Sequence, residues 1–252
     1  MQQKNVKNRM TVVIPCYRSE KYLQHTVEEI LAEAHRNHRD DVRIILVDDC
    51  SPDDTVRVIR DLCRDYKGRI SAILLEENAG QTQAKMAAYQ FIREGVTLSM
   101  DDDGQHDPAG MFPLESKILE GYDVVYAQFP KIRESLPRRL ASHIMNILLF
   151  LLTKKPWSLR ITGYMALSPT AIRELNRYGS RHPFLGGWLF LHGYRACGIP
   201  VRHRERETGT SGYTLRKLFL RAIEMTILYR IPPKKDDPPA FRIKEIIGSP
   251  GA

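Results

Sequence analysis

An α/β fold with a mostly parallel central sheet flanked by helices is predicted by three observations. Short apolar runs alternate with stretches of helical period, the alternation repeats through the first half of the chain, and two of the runs close in aspartates. Residues 10–15 (MTVVIP) read as a buried strand, and residues 19–34 carry apolar side chains at helical spacing. Residues 42–47 (VRIILV) form a second strand that ends in Asp48-Asp49. Ser51-Pro52-Asp53-Asp54 then offers a cap and a turn ahead of a helix over 55–66. Strands at 70–75 and 96–100 enclose a helix over 81–94, and the last of these strands runs into Asp101-Asp102-Asp103. The second half is less regular. A strand is expected at 123–127, a basic-then-apolar helix at 136–152, a short apolar element at 183–192, and a helix over 213–229 that opens with Arg216, Lys217 and Arg221. From Ile231 onward proline and charge dominate, which reads as a flexible tail.

Composition narrows the possibilities. Of 252 residues, 42% are hydrophobic, enough for a sizeable core, and the net charge of +8 suggests an anionic partner. Cys16, Cys50, Cys63 and Cys197 make no CxxC pair, which argues against a zinc site or a dense disulfide framework and for reduced thiols. The first nine residues are polar and basic, unlike a signal peptide, and the longest apolar run, 144–152, is far short of the ~20 residues of a spanning helix. A cytoplasmic protein is expected.

In open α/β sheets, ligands bind beyond the carboxyl ends of the strands. Those ends here carry Pro15-Cys16-Tyr17, Asp48-Asp49 and Asp101-Asp102-Asp103, so three polar clusters should meet at one crevice. Asp101 and Asp103 are alternate residues of an extended segment and could share one cation, with Gln105 as a further oxygen. Hard oxygen donors favour magnesium or manganese, which neutralise a departing diphosphate. Three aspartates at a strand end also describe a solvated turn, with Asp103-Gly104 as its turn chemistry. Asp48 and Asp49 precede the helix too early to cap it and are open to a base or ribose, onto which Tyr17 could pack. No GxxxxGK[ST] loop and no GxGxxG after the first strand is present. Arg202-His203-Arg204-Glu205-Arg206 followed by Thr208-Gly209-Thr210-Ser211-Gly212 reads equally as a phosphate clamp or a solvated basic strand.

On VVIPCYRSEKYL, ILVDDCSPDDT, NAGQTQAKMAAY, SMDDDGQHDP and RETGTSGYTLRKL, the chain resembles glycosyltransferase family 2, within its dolichyl-phosphate and undecaprenyl-phosphate sugar transferase branch. The resemblance spans 11–229. It implies a GT-A (Rossmann-like) fold over 10–230, split into a nucleotide-sugar-binding half (10–127) and an acceptor-side half (128–230), between flexible termini at 1–9 and 231–252. It implies a metal (Mg2+ or Mn2+) on Asp101, Asp103 and Gln105. A UDP- or GDP-linked donor would lie on Pro15, Tyr17, Asp48, Asp49 and Asp102, with Arg206 and Ser211 closing over phosphate. No catalytic base is carried over, because no acid precedes Gly163-Tyr164; Arg206 is the candidate phosphate stabiliser. Members of the branch often have Lys where this chain has Gly212, and many bacterial relatives continue into two spanning helices not seen in this sequence.

The expected function is therefore metal-dependent, inverting transfer of a sugar to a polyprenyl phosphate, whose oxyanion needs no base. The alternatives are transfer to a sugar hydroxyl in cell-surface polysaccharide synthesis and, in a different class, a basic binding module without catalysis. Nucleic acid is not an expected partner. Arg138-Arg139 before the 144–152 run, and Arg216-Lys217 before 227–229, suggest peripheral contact with the anionic inner face of the cell membrane.

Overall fold

The strands of the first half are apolar along nearly their whole length because helices cover both faces of the sheet. In the computed structural model, which describes residues 9–129, 146–147, 150–153, 155–178, 185–202 and 239–251, the first half runs β1 (Met10–Cys16), α1 (Leu23–Arg36), β2 (Arg43–Asp48), α2 (Thr55–Asp65), β3 (Ile70–Leu75), α3 (Gln81–Tyr89) and β4 (Val96–Ser99). A short 3-10 turn (Pro108–Gly110) then leads through α4 (Met111–Leu119) to β5 (Val124–Gln128) and β6 (Met165–Leu167). The chain continues through α5 (Pro169–Tyr178), α6 (Leu185–Leu191), β7 (Ala196–Pro200) and β8 (Ile243–Ile247).

The eight strands form one sheet in the order β7-β5-β6-β4-β1-β2-β3-β8. β4, β1, β2 and β3 are parallel neighbours, while β6 is antiparallel to both β4 and β5, and β8 is antiparallel to β3. Alternate residues of β1 divide between two cores. Met10, Val12, Ile14 and Cys16 join the cluster under α1, α2 and α4, whereas Val13 joins the cluster under α3, α5 and α6. Pro15 is tolerated in this central strand because the ladder to β4 covers only Met10 to Val13, so no bond is lost to its missing N–H on that side. All four cysteines are free.

The structure moves several boundaries. The first helix begins at Leu23, because residues 19–22 are held in a turn by Tyr22 and Leu23 N–H bonds to the Ser19 carbonyl. α3 ends at Tyr89, short of residue 94, and Gly95 then takes φ 76°, with its Cα packed against the Arg9 carbonyl where a Cβ would collide. α4, β6, α5 and β7 were not anticipated; β6 has three residues, too few to show a period.

The largest correction concerns the C-terminal tail. Residues 231–252 were expected to be flexible, yet β8 pairs with β3, and Phe241 is only 7% exposed. Without β8, β3 would present a row of unpaired N–H and C=O groups to solvent. The proline-rich run ends at Pro239; residues 241–244 (FRIK) alternate apolar with charged, and the alternation then breaks, since Glu245 shares the more covered face with Ile243 and Ile247 while Ile246 is 43% exposed. Arg60 on α2 binds Glu245 through two bonds of 2.9 and 2.6 Å, fixing the strand to that helix. The helix expected over 136–152 lies largely outside the described residues, although 146–147 and 150–153 are helical; the helix over 213–229 lies outside them entirely.

Truncating Phe241 to Ala should therefore cost about 3 kcal/mol in a urea unfolding titration, the range for a buried aromatic. A cost near zero would mean that β8 is not anchored by this ring.

Candidate functional site

Three strand ends do meet. β1 leads into Tyr17, β2 ends at Asp48, and β4 is followed by the acidic segment 101–103. They are bonded to one another. The Asp102 carboxylate accepts from the Tyr17 N–H (3.2 Å) and from the Ser19 hydroxyl, while its backbone carbonyl accepts from Thr26 Oγ1 (3.2 Å). Asp102 is thus enclosed, and desolvation pushes its pKa up to about 6, against the lowering effect of the Ser19 and Tyr17 bonds. Arg18 and Cys50 both adopt left-handed backbone (φ 59° and 56°), and the Arg18 N–H reaches Ser51 Oγ at 3.2 Å, which locks the β1 and β2 loops together. Non-glycine residues held in this region store strain, a feature that concentrates at binding sites.

The aspartate pair after β2 divides its work. Each oxygen of Asp49 accepts one backbone N–H of the 78–80 loop, from Ala79 at 2.7 Å and from Gly80 at 2.9 Å. Asp49 therefore shapes the wall of the crevice. Asp48 accepts the Ser51 N–H at 3.2–3.3 Å and keeps lone pairs for another donor; burial raises the pKa of both carboxyls. The expected cap at Ser51 is not formed. Ser51 Oγ accepts from Arg18 instead, and Asp53 Oδ1 takes the Thr55 hydroxyl (2.6 Å) and N–H (3.3 Å) ahead of α2. Tyr17 is 44% exposed, with the Arg18 guanidinium 5.4 Å from its ring centroid, whereas Pro15 is buried in its strand.

Asp101 is oriented from three sides. Gln81 Nε2 donates to Oδ1 at 2.5 Å, Lys85 Nζ stands 3.9 Å from the same oxygen, and His106 Nε2 lies 3.6 Å from Oδ2. His106 Nδ1 accepts the Asp101 N–H (3.0 Å), so in its neutral form the ring carries its proton on Nε2, facing the carboxylate. The imidazole is stacked on Tyr164 (centroids 4.9 Å apart), which fixes its plane. Lys85 is buried, and desolvation lowers its pKa against the pull of Asp101 and Asp102. Gly163 packs against Asp101: a Cβ there would lie 3.0 Å from both carboxylate oxygens. Asp103 accepts the Gln105 N–H at 3.2 Å. Gln105 and the three aspartates are all part-exposed.

Among the described residues, no group of three or more His, Cys, Asp or Glu side chains is placed to hold a metal. Asp101, Asp103 and Gln105 are hard oxygen donors of the kind magnesium or manganese take, one or two carboxylates with water and substrate phosphates completing the shell. Arg206 and Ser211 lie outside the described residues. Gln81, Lys85, His106 and Ser19 were missed by sequence reasoning. The spacing of Gln81 and Lys85 is the signal that could have found two of them, since i and i+4 share a helix face.

The fold is GT-A. In the mannosyltransferase from Pyrobaculum calidifontis, solved with GDP-Man and Mn2+, the match has TM-score 0.61 at 18% identity and covers 87% of this chain and 65% of that one. Glucosyl-3-phosphoglycerate synthase from Mycobacterium tuberculosis, solved with Mn2+, UDP-Glc and phosphoglyceric acid, matches with TM-score 0.62 at 16% identity, covering 90% and 82%. Residues 11–176 match the model of glycosyl transferase family 2, and the chain belongs to that family. Among similar sequences, the undecaprenyl-phosphate 4-deoxy-4-formamido-L-arabinose transferase of Pectobacterium atrosepticum is 32% identical over 247 residues, 97% of this chain and 72% of its own length. The protein of that name from Edwardsiella ictaluri is 31% identical over 210 residues, 83% of this chain and 64% of its own length. The chain thus spans roughly two thirds of those relatives.

Replacing Asp49 with Ala should release the 78–80 loop and cost about 2 kcal/mol, because two part-buried N–H groups lose a charged acceptor. Chemical denaturation measures the loss, and amide exchange at Ala79 and Gly80 should speed up with it.

Proposed function

We propose that this chain transfers a sugar from a nucleotide-sugar donor to a polyprenyl phosphate, with inversion, at the crevice formed by the ends of β1, β2 and β4. The observation that carries the reading is the Asp102 bonding to Tyr17 and Ser19, which brings the candidate metal residues beside the candidate nucleoside residues. The similarity to transferases named for undecaprenyl phosphate supports the acceptor, and the solved neighbours with GDP-Man or UDP-Glc and Mn2+ support the donor class and the cation.

In this reading Asp48 accepts from the base or ribose and Tyr17 packs on the base, while Asp49 and Pro15 shape the pocket. Asp101, Asp103 and Gln105 hold magnesium or manganese. The cation, when bound, supplies positive charge to the diphosphate. Gln81, Lys85 and His106 keep Asp101 aimed, so its carboxylate does not reorganise during the reaction. An acceptor phosphate oxygen forms the new bond to the anomeric carbon as the diphosphate departs, and its charge makes a general base unnecessary. Arg206 and Ser211 meet the phosphates in this scheme.

A peripheral position on the inner face of the cell membrane suits such an acceptor. No helix among the described residues is long and apolar enough to cross a membrane. Phe150, Leu151 and Trp157 are exposed, Leu151 at 71%, and Phe150 and Trp157 contact edge to face at 5.7 Å. Aromatic and aliphatic side chains left in solvent, shortly after Arg138-Arg139 in the sequence, suit a lipid interface.

Calorimetric titration with UDP and GDP, with and without manganese, tests the site. Metal-dependent binding of one nucleotide is expected, and Asp103→Asn should abolish it without lowering the melting temperature, since this part-exposed carboxylate has no core role. Normal donor turnover by that variant would overturn the metal assignment, and absence of metal-dependent binding to the wild type would defeat the enzymatic reading. Product analysis with polyprenyl phosphate against oligosaccharide acceptors separates the two transferase alternatives; sugar-linked lipid phosphate is the expected product.

A further inference from the structure

At the other end of the sheet the strands start from arginines. Arg9 precedes β1, Arg43 opens β2, Arg69 precedes β3, and Arg93 lies three residues ahead of β4. Parallel strands bring these starts together, on the side away from the acidic crevice, roughly 20 Å off at ~3.3 Å per strand residue. They line a cavity of about 1000 Å³ together with Lys67 and, on an apolar wall, Phe91. Arg60 and Arg64 also border it, but they are paired with Glu245, Asp61 and Asp65.

The five remaining cations, Arg9, Arg43, Lys67, Arg69 and Arg93, form no salt bridge among the described residues, and Glu94 is the one acid in the lining. The pull of Asp41 and Asp40 on Arg43 is weaker than the push of Arg9 and Arg69. Arg69 Nε and Nη2 are buried with no hydrogen-bond partner in the protein. Arg43 Nη1 donates to the Asp40 and Val42 carbonyls, at 2.7 and 3.3 Å, which hold the guanidinium without neutralising it. Burial first, and then the Arg9 and Arg69 charges, push its pKa down. Residues 1–8 (MQQKNVKN) contain no acid. Arginine does not give up its proton in proteins, so a cluster of this kind repels itself until an anion enters. A guanidinium fork matches phosphate oxygens in pairs, and a buried one left unpaired costs stability.

We infer that this cavity is a second, non-catalytic anion site that binds a phosphate-bearing ligand on Arg9, Arg43 and Arg69, with Lys67 and Arg93 at its mouth. The shared chemistry is a phosphate group with at least two charges' worth of guanidinium partners, carried by a soluble phosphorylated compound or by a lipid headgroup.

The test uses the full chain in EDTA, so that no metal-held phosphate contributes. Sodium pyrophosphate is titrated calorimetrically into the wild type, Arg43→Gln/Arg69→Gln and, at the exposed mouth, Lys67→Gln/Arg93→Gln. Co-sedimentation with phosphatidylglycerol vesicles is measured in parallel on the same proteins. Pyrophosphate binding weakened at least tenfold in the first double variant, and weakened less in the second, is expected. If the first double variant also reduces pelleting, the headgroup is the source; pelleting it leaves untouched assigns the site to a soluble ligand. Binding that neither variant changes, or failure of both probes to bind the wild type, would overturn the inference. Because the first double variant removes buried groups, Arg69→Met supplies an independent reading: its melting temperature should hold or rise, since an unpaired buried charge is removed. A fall of more than about 3 °C, a loss near 1 kcal/mol for a chain of this size, would show that Arg69 serves the fold and would equally overturn the assignment.

Discussion

The Asp102 carboxylate governs the arrangement of the crevice. It is a side chain of the β4 end that accepts hydrogen bonds from the β1–α1 turn, so two separate chain crossings cannot drift apart without leaving a nearly buried carboxyl unsatisfied. Thr26 adds a bond from α1 to the same residue's carbonyl. Everything that faces the crevice from β1, including the exposed Tyr17 ring, is positioned through this connection. Asp101 and Asp103, on either side, take other partners: Asp101 is met by Gln81, Lys85 and His106, and Asp103 accepts the Gln105 N–H.

The same economy recurs around the other acids. Asp49 holds the 78–80 loop, and that loop starts α3, which delivers Gln81 and Lys85 to Asp101. The β2 end and the β4 end are therefore coupled through α3 even though β1 separates them in the sheet. Lys85 is a buried cation beside two carboxylates, which lowers the repulsion that three adjacent aspartates would otherwise build up.

Much of the first half was legible in the sequence. The strand at 70–75 and the helix start at Thr55 were read without error, because doubly covered parallel strands are continuous apolar runs and short loops separate them cleanly. The crevice was legible for the same reason: strand ends in a parallel sheet face one way. What failed had physical causes. The three-residue β6 is too short to show a period, and β8 lies behind a proline-rich run that masks its alternation. Family membership was readable from the DDDGQHDP block in order with the VDD segment, whereas the division of labour among the aspartates was not. Which of two adjacent carboxylates turns inward depends on partners such as Ser19 and Gly80, which no local pattern connects to them.

The edge pairing of β3 with β8 has a consequence for how the chain is made. β3 is complete at Leu75, but the strand that covers it begins at Ile243. A chain emerging from the ribosome can assemble β1, β2 and β3 with their helices early, from contacts close in sequence. It then carries an open apolar edge until residues 243–247 have been synthesised, about 170 residues later. Contacts of such separation form late, and the waiting edge is a target for strand addition by other nascent chains. The charges on β8, Lys244 and Glu245 among them, keep the finished edge soluble.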